Sequence, residues 1–90
     1  MLSVRTVAGF RKSLKKISRS GSFDRIGLEK IINILSRGEK LDRVYQDHAL
    51  TGDMGDYREC HVEFDLLLIY KIEDGIIVLV NIGSHPELFG

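Results

Sequence analysis

Hydrophobic positions follow two different rhythms along these 90 residues. In the first half Phe10, Leu14 and Ile17 recur at i, i+4 and i+7, one stripe of an amphipathic helix otherwise built from Arg11, Lys12, Lys15, Lys16 and Arg19. Ser20-Gly21-Ser22 ends that stripe. A second helix is predicted from Ser22 or Asp24, both good N-cap types, to about Arg37. Its buried face draws on Ile26 or Leu28 with Ile31, Ile32 and Leu35, and Arg37-Gly38 supplies the stop. Ahead of both helices, Leu2–Ala8 alternates as a short strand. From Tyr57 the period falls to two, predicting strands over Tyr57–Phe64, Leu66–Glu73 and Ile76–Ile82. Turns around Asp65 and at Asp74-Gly75 join them, the second a strong hairpin signal. Residues 41–56 read as irregular, with one helical turn at Leu41–Tyr45.

The resulting order is β-α-α-β-β-β, an α+β fold with a two-helix hairpin packed on a twisted, mainly antiparallel sheet. Leu66-Leu67-Leu68-Ile69-Tyr70 is apolar on both faces, which predicts a central strand covered on both sides. The helical hairpin covers one face. The other is left to invite a substrate or partner.

Length and composition narrow the class: the chain has room for one domain, residues 1–90, with an ordinary apolar content. Its single cysteine, Cys60, forms no internal disulfide and fits a reducing cytoplasm. No signal peptide is expected, and the apolar runs are far shorter than the ~20 residues of a membrane span. A cytoplasmic protein without membrane association is therefore expected. Net charge is zero, but residues 1–45 hold eleven Lys/Arg against four Asp/Glu, whereas residues 46–90 hold two against nine. The halves are thus +7 and −7. The basic half suits a polyanion, although on charge alone a solvated helical face with an acidic sheet edge is the favoured explanation.

Chemistry concentrates in the acidic half, where all three histidines, His48, His61 and His85, are found. Histidine titrates nearest neutrality and suits proton transfer without a cofactor. Strand alternation sets Tyr57, Glu59, His61 and Glu63 on one face and Arg58, Cys60, Val62 and Phe64 on the other, more apolar face. His61 is thereby expected to be exposed and Cys60 buried, which argues against a cysteine nucleophile. Hairpin pairing brings His85 back toward Asp65, although its position before Pro86 favours an extended backbone. Asp65 has an alternative purpose as a turn residue, and His48 lies in a loop that only tertiary folding can deliver. The Asp53–Asp56 run lacks calcium-loop spacing, and the glycines form no phosphate cradle.

Four segments, Tyr45–Gly52, Tyr57–Val62, Asp65–Tyr70 and Gly83–Phe89, closely resemble the YafQ-like branch of the RelE toxin superfamily. The resemblance implies a RelE-like fold and the toxin of a type II toxin–antitoxin pair. It further implies a metal-independent, cofactor-free endoribonuclease that enters the ribosomal A site and cuts translated mRNA. In such chemistry the RNA 2′-hydroxyl attacks the adjacent phosphate, which calls for a base, an acid and positive charge. By motif position, His48, His61, Asp65 and His85 match the catalytic set and Phe89 an aromatic near the site. His85 is cast as general acid, Asp65 or His61 as base, and His48 as the group that orients or stabilises the phosphate. Implied partners are a DinJ/RelB-like antitoxin, ribosomal RNA met by the basic helices, and mRNA.

The chain departs from that pattern at Asn81, where many relatives carry arginine, and at Leu66, which is aromatic in some. Arg58, Lys71 or a protonated histidine are the candidate substitutes for the missing charge, so Arg58, Lys71, Asn81 and Phe89 form the expected substrate-binding set. Two other readings remain. One is a catalytically weak or silent protein that only binds antitoxin or ribosome; the other is a metal site built from the three histidines and an aspartate.

Overall fold

The structure, a computed structural model, describes residues 1–21 and 23–90. Its elements are β1 (Ser3–Thr6), α1 (Ala8–Ser18), α2 (Arg25–Ser36), β2 (His48–Ala49), β3 (Arg58–Glu63), β4 (Leu66–Glu73), β5 (Ile76–Gly83) and α3 (His85–Phe89). Single 3-10 turns lie at Arg43–Tyr45 and Gly52–Met54. The strands form one sheet in the order β1-β5-β4-β3-β2, with β1 parallel to β5 and every other pair antiparallel. This is the expected α+β architecture with β4 among the central strands.

Local chemistry explains most boundaries. Asp24 caps α2 by accepting from the Gly27 N–H at 2.9 Å. A Cβ at Gly27 would collide with the Asp24 carboxylate, so glycine there is what lets the cap fold inward. Ser22, the other expected cap, lies outside the described residues. Gly38 takes φ +74° and donates to the Leu35 carbonyl, closing α2 as its Arg37-Gly38 signal predicts. Asp74 and Gly75 both have positive φ, 51° and 75°, the signature of a primed turn between β4 and β5.

Two elements differ from the expected order. β2 is only two residues long, too short to leave a periodicity in the sequence; it is held by pairing His48 and Ala49 with Glu59 and Arg58. α3 begins at His85, where the following proline predicted an extended residue. Ser84 accepts from the Glu87 N–H while Glu87 Oε1 accepts from the Ser84 N–H, a capping box that outweighs the pre-proline preference. Pro86 fits because it sits in the first helical turn, where an amide proton has no intrahelical partner.

The helices cover one face of the sheet. Phe10, Leu28, Ile31 and Leu35 pack there on Cys60, Leu68, Tyr70, Ile77, Leu79 and Ile82. On the opposite face, cross-strand register sets His48, Glu59 and Ile69 in one row and His61, Leu67 and Gly83 in the next. Leu67 and Ile69 are buried and form an apolar floor beneath the polar residues. Among the described residues no helix is long and apolar enough to cross a membrane.

Candidate active site

The second face gathers all three histidines around one acid that the sequence reading did not single out. Glu59 is 5 % exposed, and its Oε1 lies 3.8 Å from His48 Nε2, 3.9 Å from His61 Nε2 and 4.0 Å from His85 Nε2. These separations are charge contacts, too long for direct hydrogen bonds. Each ring arrives by a different route: His48 on the edge strand, His61 two residues along β3 from Glu59, and His85 on the first turn of α3. His61 and His85 meet edge to face, with centroids 6.2 Å apart. The signal for Glu59 was present, since alternation already set it beside His61; what the sequence lacked was the position of β2, which makes Glu59 the hub.

The ring nitrogens are individually held. His48 Nδ1 lies 2.8 Å from the Gln46 carbonyl oxygen. A carbonyl only accepts, so Nδ1 carries a proton and, in the neutral ring, the Nε2 lone pair faces the cluster. His85 Nδ1 is 3.7 Å from Asp65 Oδ1, and the same oxygen accepts the His85 backbone N–H at 3.2 Å. Asp65 thus fixes the start of α3 and one side of its ring, while Glu59 stands on the other. Phe89 lies one helical turn on, its ring 6.0 Å from that of His85. A cavity of about 600 Å³ opens beside these groups, lined by His61, Asp65 and His85 and walled by Val44, Tyr45, Val62 and Phe64.

The remaining candidates lie elsewhere. Arg58 points to the other face of β3, where its guanidinium donates to both carboxylate oxygens of Asp47 at 3.0–3.3 Å. Lys71 pairs with Glu73 at 3.0 Å and lies 5.4 Å above the Tyr57 ring. Asn81 Oδ1 accepts from the Ser13 hydroxyl at 2.7 Å and from the Ile82 N–H at 2.9 Å. It borders a separate cavity of about 290 Å³ with Lys16 and Glu87, which pair at 3.3 Å. Leu66 packs against the core. Burial, reinforced by the negative charges of Asp47 and Glu59, pushes the Cys60 thiol up to about 12, so it is protonated and inert at neutral pH. Among the described residues no group of three or more His, Cys, Asp or Glu side chains is arranged to hold a metal ion.

Three imidazoles thus surround one buried carboxylate on the open face of a five-stranded α+β sheet, an arrangement with the groups that proton transfer needs. Comparison with known proteins sharpens the class. A family described as the bacterial toxin of a type II toxin–antitoxin system, YafQ, matches residues 2–90. Fifty residues, 56 % of this chain, are 46 % identical to the mRNA interferase toxin YafQ of Escherichia coli strain K12. That match spans 54 % of the relative, about half its length. A copper-bound mutant toxin from Helicobacter pylori superposes with a TM-score of 0.93 at 38 % identity, over 99 % of this chain and 100 % of that one. YafQ in the E. coli DinJ–YafQ complex gives 0.87 at 31 % identity over all of both chains. The protein belongs to the YafQ family of type II toxins.

Proposed function

We propose that this protein is a ribosome-associated endoribonuclease that cleaves mRNA by attack of a 2′-hydroxyl on the neighbouring phosphate. The single observation that supports this most is the convergence of three Nε2 atoms within 4.0 Å of the Glu59 carboxylate. The relative named an mRNA interferase agrees with it.

Roles follow from how each ring is held. His48, with its proton fixed on Nδ1 by the Gln46 carbonyl, offers the Nε2 lone pair and is the general base for the 2′-hydroxyl. This differs from the role the family resemblance implies, in which Asp65 or His61 is the base. His85 stands between Asp65 and Glu59, which hold the ring from both sides, and it delivers a proton to the leaving 5′-oxygen. His61, the least exposed ring, donates to a non-bridging phosphate oxygen. Glu59 balances whichever ring carries the proton. The products are a cyclic phosphate and a 5′-hydroxyl. One relative is copper-bound, whereas among the described residues of this chain no group of three or more His, Cys, Asp or Glu is arranged to hold a metal ion.

The exposed Lys12, Lys15, Lys16 and Arg19 border a surface cavity of about 510 Å³ on α1 and form a basic patch suited to ribosomal RNA. A DinJ-like antitoxin is the expected protein partner, as in the E. coli complex, and the cytoplasm the expected compartment. A second reading, a weakly active binding protein, is favoured by Asn81, whose oxygen is engaged by Ser13 and Ile82 and which brings no charge to a phosphate.

One experiment tests both. Purified protein and its His85→Ala variant are incubated with ribosome-bound mRNA, with and without a chelator, and the ends are mapped. Chelator-resistant cuts leaving cyclic phosphates, absent in the variant, support the nuclease. Cleavage that survives in the variant removes His85 from the mechanism; absence of cleavage by the parent, restored by Asn81→Arg, supports the silent reading.

A further inference from the structure

Consecutive residues of β2 and its lead-in are gripped from opposite faces of the sheet. On the site face, His48 stands across from Glu59. On the core face, the preceding residue, Asp47, accepts two oxygens' worth of hydrogen bonds from Arg58, the residue before Glu59, and a further short one from the Tyr70 hydroxyl. Arg58 and Tyr70 are themselves direct partners across β3 and β4. Tyr70 is 1 % exposed and belongs to the core, so this anchor point cannot drift. Between the 3-10 turn and Asp47, Gln46 adopts a left-handed φ of 51°, the conformation that aims its carbonyl at His48 Nδ1. A non-glycine residue keeps such a backbone only where its surroundings over-determine it.

We propose that the Asp47–Arg58–Tyr70 triad is a positioning device that acts through His48, holding the Gln46 carbonyl and hence the Nδ1-protonated form of the ring. The inference rests on the nuclease reading for its kinetic consequence but not for its structural one. Asp47 raises the pKa of Arg58 through hydrogen bonding and contributes, after burial, to raising that of Tyr70, as a tight charge-assisted cluster requires. None of the three side chains needs to touch RNA. A bidentate guanidinium fork supplies direction as well as attraction, which lysine would not. Displacing a catalytic ring by about 1 Å costs on the order of 100-fold in rate.

The test uses Asp47→Ala, Asp47→Asn and Tyr70→Phe, each alone and combined with His48→Ala. Asp47→Ala is expected to lower kcat by about 10- to 100-fold with KM unchanged, Asp47→Asn less because it still accepts hydrogen bonds. Tyr70→Phe deletes one hydroxyl from an intact ring and guards against a folding artefact. The decisive kinetic result is non-additivity: in the His48→Ala background the Asp47 and Tyr70 substitutions should have no further effect on kcat. A full additional loss there overturns the proposal. Independently of catalysis, ring nitrogen–proton correlation spectra should show His48 as the Nδ1-protonated tautomer in the parent and as a mixture in Asp47→Ala. The signals of His61 and His85 should stay in place. A parent that cleaves no RNA but shows this tautomer change sinks the nuclease reading alone. A His48 tautomer that is unchanged in Asp47→Ala sinks the positioning device.

Discussion

Replacing Glu59 by glutamine tests the hub of the site without changing its shape. The carboxylate oxygen lies about 3.9 Å from each imidazole nitrogen. At an effective dielectric near 20, a unit charge pair at that separation is worth roughly 4 kcal/mol. The side chains of His48 and His85 are 54 % and 55 % exposed, so solvent screens the interaction. A discounted value of roughly 2–3 kcal/mol is appropriate. Lost from the transition state, this lowers kcat by about 30- to 150-fold. Stability should respond in the opposite sense: a carboxylate held in a buried position costs desolvation, and the neutral isostere removes that cost. We therefore expect Glu59→Gln to be crippled in single-turnover cleavage of a short RNA yet to melt at the same temperature or higher. Activity within about three-fold of the parent would refute the charge argument. So would a fall in Tm above about 5 °C, since that is roughly 1 kcal/mol in a domain of this size and would make Glu59 structural.

Other tests probe the supports. A Cβ added at Gly83 would lie 3.2 Å from Glu87 Oε1 and 3.4 Å from Glu87 Cβ. Gly83→Ala should therefore shift α3 and lower cleavage by about 10-fold through His85 while the melting curve barely moves. Cys60 is raised from its ordinary value to about 12 in the folded chain. The unfolded thiol ionises first, so the Cys60 contribution to stability is constant below pH 9 and is lost as pH rises from 9 toward 12. Urea unfolding across that range checks it, with Cys60→Ala giving a shallower decline; Tyr70, raised by burial, contributes in the same direction.

Much of the fold was legible because its signals are local and repeat. Phe10, Leu14 and Ile17 announce α1, and Asp74-Gly75 announces a hairpin whose register then carries His85 back to Asp65. The rest depended on single interactions. Two residues cannot display a period, so β2 was invisible, and with it the row that joins His48 to Glu59. The pre-proline preference at His85 points to extended backbone, and the two hydrogen bonds between Ser84 and Glu87 that defeat it are visible only in the folded chain. Arg58 reads from the sequence as a candidate substitute for the missing phosphate-binding charge. Its engagement by Asp47, eleven positions earlier, depends on a loop path that alternation does not encode.

The parallel pairing of β1 with β5 joins Ser3 to Ile76, seventy-three positions apart. Closing so long a loop is entropically unfavourable until nearby structure has formed, whereas the two-residue turn between β4 and β5 closes locally. The meander is therefore expected to form before the first strand docks. Since β1 borders only β5 in the sheet while His48 lies on β2 at the opposite edge, late docking of β1 would complete the sheet at the margin most distant from His48.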